Sequence, residues 1–266
     1  MGFKKIQKDE RINKIINTLK RGGRSEQTIE NYACAINRFL KYFNDKDLEK
    51  LSENDIIEYI EKSYIDKECS LNTYNLNICA IKYFYLITYN REFNNNLLPH
   101  AKLTKKLPTT IDKETFKKLL NEEQNLKHKC WLLLGYCSGL RVAEIATLKV
   151  KDINSKEHKL KVLGKRKKER YTVLPDIVIK YLRLYYKKYN SKKSAKSEFL
   201  FRGTKGNKHT SSRTIINYFS TLKEKQNLDK NITFHSLRHT FATNFITNGG
   251  DPFVLKSMLG HTSMNT

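Results

Sequence analysis

The chain has 266 residues, of which 39% are hydrophobic and 29% are charged, and its formal net charge is +24. This length allows one or two domains with packed cores, but no apolar run could span a bilayer and the N-terminus lacks the apolar core of a signal peptide. The excess of cations indicates a polyanionic partner, most often nucleic acid, although lysine enrichment from an AT-rich genome would give a similar charge. The five cysteines include no CxxC pair, which favours small buried side chains over a disulfide framework or a zinc site.

The first 95 residues are predicted to form a small bundle of four amphipathic helices. Gly22-Gly23 ends the first helix, and Ser25, Ser52 and Ser70 can cap the other three. Each helix carries apolar residues at helical spacing, as an amphipathic helix of a bundle requires. These residues are Ile12, Ile15, Ile16 and Leu19, then Ile29, Ala33, Ile36, Leu40 and Phe43, then Ile56, Tyr59, Ile60 and Tyr64, then Leu71, Tyr74, Ile78, Ile81 and Tyr85.

Residues 96–108 are predicted to be an exposed basic linker. Pro99 and Pro108 break helical periodicity, and Lys102, Lys105 and Lys106 supply the charge. A basic linker between two basic domains would suit a protein that closes around DNA. An ordinary solvated loop would have the same composition.

Residues 109–266 are predicted to form a second domain, in which helices come before and after a three-stranded antiparallel sheet along the chain. The period of the apolar pattern changes from helical to alternating after residue 149 and then returns to helical. The predicted strands are 150–153, 159–163 and 170–174. The predicted helices are 113–120, 127–137, 142–148, 176–189, 212–226, 234–248 and 252–259. The fold class is therefore mainly α with a small sheet, an N-terminal helical bundle followed by an α+β domain.

Four short motifs of this domain carry cationic side chains. Arg141 begins a helix, where its charge opposes the helix dipole, so either Glu144 or an anionic ligand must favour it there; taken alone, a surface salt bridge explains it. Lys165 lies in a predicted basic hairpin. Such a hairpin suits contacts with backbone phosphates, but an ordinary solvated turn would have the same composition. His235 and Arg238 share one face of a helix start, where free N–H groups attract anions. A lone histidine such as His261 is usually a polar surface residue.

The order and local sequence of these motifs resemble the tyrosine recombinase (phage integrase) family. The motifs are Ser-Gly-Leu-Arg-Val-Ala-Glu-Ile, Gly-Lys-Arg-Lys-Lys-Glu-Arg, His-Ser-Leu-Arg-His-Thr-Phe-Ala-Thr and Leu-Gly-His. The resemblance spans essentially the whole chain, and the segment Ser25–Tyr32 is similar to the family's helical core-binding domain. It implies a site-specific recombinase or integrase that cuts and rejoins DNA through a 3′-phosphotyrosyl intermediate and a Holliday junction.

The resemblance also implies roles for individual residues. Arg141 and Arg238 would clamp the non-bridging phosphate oxygens, and Lys165 would be the general acid. His235 and His261 would support proton transfer, and Glu144 would orient the arginines. No cofactor or metal is expected, because cationic side chains stabilise the phosphate charge. The residues expected to contact DNA are Arg24, Thr28, Asn72, Thr73, Lys105, Lys106, Arg166, Lys167, Lys168 and Arg170.

The sequence departs from the family pattern at three places. Phe234 stands where the family often has proline, and Arg166 stands where it often has glycine. The family's nucleophilic tyrosine lies a few residues beyond the Leu-Gly-His motif, and no tyrosine follows His261 here. Core packing is the expected role of Tyr171 and Tyr218.

The missing tyrosine leads to an expectation that the chain is truncated before its nucleophile and binds DNA without cutting it. A naturally non-catalytic DNA-binding regulator is the alternative, and a type IB topoisomerase is a third possibility. The expected partner is double-stranded DNA with specific recombination sites, bound by a homo-tetramer of the full-length protein. The expected location is the cytoplasm, in association with the nucleoid and not with a membrane.

Overall fold

The computed structural model describes residues 9–44, 46–94, 96, 98–102, 107–164, 169–189, 197–203 and 208–260. The chain divides into two compact units, residues 1–106 and 107–266, named here the N-terminal unit and the C-terminal unit. Each unit has its own hydrophobic core. Among the described residues, no helix is long and apolar enough to cross a membrane.

The N-terminal unit consists of packed helices, as predicted. Ser25, Ser52 and Ser70 each accept a hydrogen bond from the backbone N–H three residues ahead, so the predicted caps are present. The described helices are α1 (Glu10–Arg21), α2 (Glu26–Tyr42), α3 (Glu53–Ile60), a π-helical turn (Glu61–Ile65) and α4 (Leu71–Tyr89). The π-helical turn replaces the continuous third helix that the apolar pattern predicted.

The segment after α4 differs in part from the predicted exposed linker. Leu98 is buried in the core of the N-terminal unit. Asn75 exchanges two hydrogen bonds with the backbone of Ala101, and Tyr74 donates to the carbonyl of Pro99. Side chains of α4 therefore hold residues 98–101 along the helix. Residues 103–106, which include Lys105 and Lys106, lie outside the described residues.

The C-terminal unit combines helices with the predicted three-stranded antiparallel sheet. Its helices are α5 (Lys113–Glu122), α6 (Leu126–Ser138), α7 (Val142–Ala146), α8 (Asp176–Tyr189), α9 (Ser212–Lys225), α10 (Phe234–Thr247) and α11 (Pro252–Leu259). The sheet has the order β1 (Ile153–Asn154), β2 (Lys159–Leu163) and β3 (Glu169–Val173). The first strand is shorter than predicted, because Val150–Asp152 forms a 3-10 turn.

Helix α6 forms the centre of this unit because it is apolar on nearly all sides. Cys130, Trp131 and Leu134 are fully buried within it. Gly135 permits α10 to pack closely, since a Cβ there would lie 3.1 Å from side-chain atoms of Phe234 and Leu237. The end of α6 is therefore fixed against the beginning of α10, which brings two of the predicted motifs together.

Candidate active site

The C-terminal end of α6 positions Arg141. Gly139 ends the helix in the left-handed conformation with φ +65°, as the Ser-Gly pair predicted, and a Cβ there would collide with the ring of Phe241. Arg141 then takes the N-cap position of α7, where its backbone N–H donates to Glu144 Oε2 at 2.8 Å. Its side chain is 37% exposed. Arg141 is thus held at its backbone, while its side chain stays partly open to solvent.

Glu144 is buried and binds three guanidinium groups, named here the arginine cluster: Arg141, Arg170 and Arg238. Arg170 donates from both terminal nitrogens to the two carboxylate oxygens at 2.8 Å each. Arg141 Nη1 donates to Glu144 Oε1 at 3.0 Å, and Arg238 Nη1 lies 3.8 Å from Oε2. One carboxylate therefore orients three cations from three separate elements.

Arg238 is almost fully buried and joins the ends of two helices. Its Nη1 donates to the carbonyl of Gly139 at 2.5 Å, and its Nη2 donates to the carbonyl of Leu259 at 2.7 Å. The last carbonyls of a helix have no partner within the helix, and they attract cations. Arg238 on α10 is thereby fixed between α6 and α11.

The charges in this site do not cancel. Three guanidinium groups surround one carboxylate, which leaves a net charge of +2 among the described side chains of the cluster. Burial, and then the neighbouring Arg141, lower the pKa of Arg238 to about 10, with Glu144 acting in the opposite direction. Burial also raises the pKa of Glu144, but the hydrogen bonds and charges of Arg170 and Arg141 outweigh it, so the net pKa falls below 4.5. The site is therefore electrostatically prepared for an anion.

The histidine motif lies at the start of α10. Thr233 is the N-cap, and its backbone N–H donates to the hydroxyl of Ser236. His235 is exposed, and its ring contacts that of His239 edge to face at 4.6 Å between centroids. Burial, and then the charge of Arg238, lower the pKa of His239.

Only some of the other predicted site residues lie in the described part of the chain. Lys165, Arg166, Lys167, Lys168 and His261 lie outside the described residues. Arg24 and Asn72 are exposed at or near the first turns of α2 and α4, while Thr28 and Thr73 are half-buried there. The Thr28 and Thr73 hydroxyls hydrogen-bond the capping serines Ser25 and Ser70, respectively.

The structure places Arg170, which was predicted to contact DNA, inside the arginine cluster. Its side chain is only 7% exposed, and its nitrogens donate to Glu144 and to the carbonyl of Met258. The strand pattern contained the signal for this position, because Arg170 pairs with buried Val162 and alternates with buried Thr172. The basic run before it had suggested an exposed position instead.

Tyr171 and Tyr218 occupy different surroundings. Tyr218 is half-buried on α9 and donates to Glu123, in keeping with the predicted packing role. Tyr171 is 58% exposed on β3, so the prediction that it packs in the core was wrong. Among the described residues, no group of three or more His, Cys, Asp and Glu side chains could hold a metal ion.

Comparisons with known proteins cover both units. The model of the phage integrase family matches residues 109–266, and that of the phage integrase N-terminal SAM-like domain matches residues 12–95. A tyrosine recombinase of Thermosipho africanus is 29% identical over 254 residues, which cover 91% of this chain and 87% of that protein.

Two solved structures share the fold. The XerH site-specific recombinase bound to its difH substrate has a TM-score of 0.73 and 21% identity, covering 89% of this chain and 74% of XerH. A λ integrase tetramer bound to a Holliday junction has a TM-score of 0.74 and 19% identity, covering 96% of this chain and 77% of that one. With its catalytic-domain family match over more than half of its length, this chain belongs to the phage integrase family of tyrosine recombinases.

Proposed function

We propose that this chain is a site-specific DNA recombinase or integrase in which Arg141 and Arg238 of the arginine cluster bind and activate the scissile phosphate. The observation that carries the proposal is the net charge of +2 around buried Glu144. A phosphodiester carries one negative charge, which increases as a fifth oxygen bonds to phosphorus. Preorganised cations stabilise that increase most, because they need no rearrangement during the reaction.

The remaining catalytic assignments extend this proposal to individual residues, of which Lys165 and His261 lie outside the described part of the chain. Arg141 and Arg238 contact the non-bridging oxygens, with His235 and His261 supporting the developing charge. Lys165 gives a proton to the leaving 5′ oxygen. Residues 1–95 form a core-binding domain, residues 96–108 a connection, and residues 109–266 the catalytic domain. XerH bound to difH and the λ integrase tetramer on a Holliday junction support a DNA partner and a tetrameric assembly by analogy.

The second part of the proposal concerns the tyrosine nucleophile. No tyrosine follows His261 in these 266 residues. A polypeptide of this sequence is therefore expected to bind its DNA site without forming a 3′-phosphotyrosyl adduct. Extending it with a C-terminal segment that carries a tyrosine is expected to give the adduct on a nicked substrate.

A rejoining assay tests phosphate activation without a tyrosine. The recognition duplex is first selected from a randomised pool by binding to the protein. A nick is then placed at each position of that duplex, with a 3′-p-nitrophenyl phosphate facing a 5′ hydroxyl. Attack by the 5′ oxygen forms the new P–O bond, breaks the bond to the aryl oxygen and releases p-nitrophenolate, while the hydroxyl proton passes to a base, assigned to neutral Lys165.

The expected result is sequence-dependent ligation with release of p-nitrophenolate at one nick position. DNA affinity is expected to fall steeply with salt concentration, since phosphate contacts release counterions. Selective binding without any ligation would contradict the enzymatic proposal and favour a DNA-binding regulator. Ligation without sequence choice would favour a topoisomerase.

A further inference from the structure

We infer that Arg170 is a positioning residue that orders the phosphate-binding arginines and the end of α11. This inference rests on the proposed function, because it concerns the same site. Arg170 is only 8% exposed, and each of its three guanidinium nitrogens donates to a described group. Each guanidinium nitrogen is thus engaged by the protein, and Arg170 acts through the groups that it binds.

The first contact of Arg170 fixes Glu144. Both Arg170 terminal nitrogens bind the carboxylate side by side, a geometry that only a planar guanidinium provides. The same two oxygens receive the Arg141 backbone N–H and Arg141 Nη1. Because each oxygen is held by Arg170 on one side, the carboxylate cannot rotate away from Arg141. Arg170 thereby sets the orientation of an arginine that it does not touch.

The second contact of Arg170 fixes the turn that leads to His261. Its Nε donates to the Met258 carbonyl at 2.6 Å, beside the Leu259 carbonyl that binds Arg238. Gly260 follows in the left-handed conformation with φ +66°, and a Cβ there would lie 3.0 Å from Arg170 Cδ. The Arg170 side chain thus lies directly against the glycine of the Leu-Gly-His motif. One residue of β3 links α7 to the end of α11.

The test compares Arg170→Met, Arg170→Lys and the unaltered chain in the p-nitrophenyl phosphate ligation assay. Arg170→Met is expected to lower kcat about 10²-fold, the size of effect that a misplacement of about 1 Å produces. The KM and Kd for DNA are expected to change little, because many phosphate contacts outside the cluster determine affinity. Arg170→Lys keeps the charge but loses the paired geometry. Its kcat is therefore expected to lie between that of Arg170→Met and that of the unaltered chain.

Two further variants separate positioning from loss of charge or of folding. Arg183→Met removes an exposed arginine of α8 in the same unit and is expected to leave kcat unchanged. Arg170→Met combined with Glu144→Gln is expected to be no slower than the slower single variant, since both changes break one connection. The folded fraction of each variant is measured by the fluorescence of Trp131, which is the single tryptophan.

The outcomes distinguish this inference from the proposed function. Absence of ligation by the unaltered chain would refute the proposed function and, with it, the inference. Ligation by the unaltered chain and an equal kcat for folded Arg170→Met would overturn the inference alone. If Arg170→Met does not fold, Arg170→Lys decides: a full kcat overturns the inference, and a reduced kcat at unchanged Kd supports it. Losses that multiply in the double variant would overturn action through Glu144.

Discussion

Each unit of the molecule contains a buried polar network, and the two networks differ in charge. In the N-terminal unit, the amide of Asn77 is fully buried, and its oxygen accepts from Tyr64 at 2.8 Å and from Arg38 at 3.2 Å. Its nitrogen donates to the carbonyl of Thr73, and Tyr64 also contacts the hydroxyl of Tyr59. The buried members of this asparagine network are neutral, and only the exposed Arg38 brings a charge to it.

The arginine cluster of the C-terminal unit has an excess of positive charge instead. Burying unbalanced charge is costly, whereas neutral groups that satisfy one another are stable without a ligand. The asparagine network therefore fits a structural role, since it joins α2, the π-helical turn and α4. The arginine cluster fits a binding role, because an anion would reduce its excess positive charge. In this molecule, charge imbalance distinguishes a site from a structural network more clearly than burial does.

Replacing Arg238 would test the binding role most strongly. Arg238→Met removes a preorganised donor and leaves the carbonyls of Gly139 and Leu259 without this partner. The rate of p-nitrophenolate release is expected to fall about 10²- to 10³-fold. The matched variant Arg238→Lys keeps the charge but not the two-carbonyl geometry. A folded Arg238→Met protein with the unaltered rate would remove the arginine cluster from the mechanism.

Replacing Glu144 would test the balance of charge within the cluster. Glu144→Gln is expected to reduce the free energy of unfolding of the C-terminal unit by about 3 kcal/mol at pH 7. Because folding lowers the pKa of Glu144 below 4.5, this stabilisation is present above pH 4.5. It is lost as the pH falls through the lower folded-state pKa. Urea unfolding followed by Trp131 fluorescence should therefore give a difference between the two proteins that closes in acid. A difference independent of pH would contradict this account.

Replacing Asn77 would test the structural role of the neutral network. Asn77→Ala leaves the buried Tyr64 hydroxyl without its acceptor and should cost about 2 kcal/mol in the N-terminal unit. Far-UV circular dichroism during urea unfolding measures this change, while Trp131 fluorescence follows the other unit. Ligation by the folded protein should be unaffected. Adding Tyr64→Phe should recover part of the loss, and failure to recover any would argue against the hydrogen bond as its cause.

Replacing Arg24 would compare an exposed cation with the buried cluster and should have the smallest effect. Arg24→Ala is expected to weaken DNA binding severalfold and to reduce the slope of log affinity against log salt by about 1. The rate of ligation at saturating DNA should stay the same. Lys50→Ala, at an 85% exposed lysine side chain of the same unit, is the control. Equal effects of the two substitutions would mean that Arg24 makes no specific phosphate contact.

The sequence correctly predicted features that depend on residues close together in the chain. Ser138-Gly139 correctly indicated the end of α6, and Asp251-Pro252 indicated the start of α11. The start of the first strand was wrong, because alternation cannot reveal that only Ile153 and Asn154 pair with β2. The π-helical turn was missed for a similar reason, since it places Tyr64 against a partner thirteen residues away on α4.

The sequence by itself determined the helices, the three-stranded sheet and the motifs that identify the family. Those features follow from periodicity, capping and residue type, which act over a few positions. Only the tertiary structure supplied the partners of Arg170, because Glu144 and Met258 are 26 and 88 residues away. It likewise placed Arg238 against a carbonyl 99 residues distant. Buried contacts of this kind depend on the exclusion of water by packed helices, and packing is a property of the folded chain.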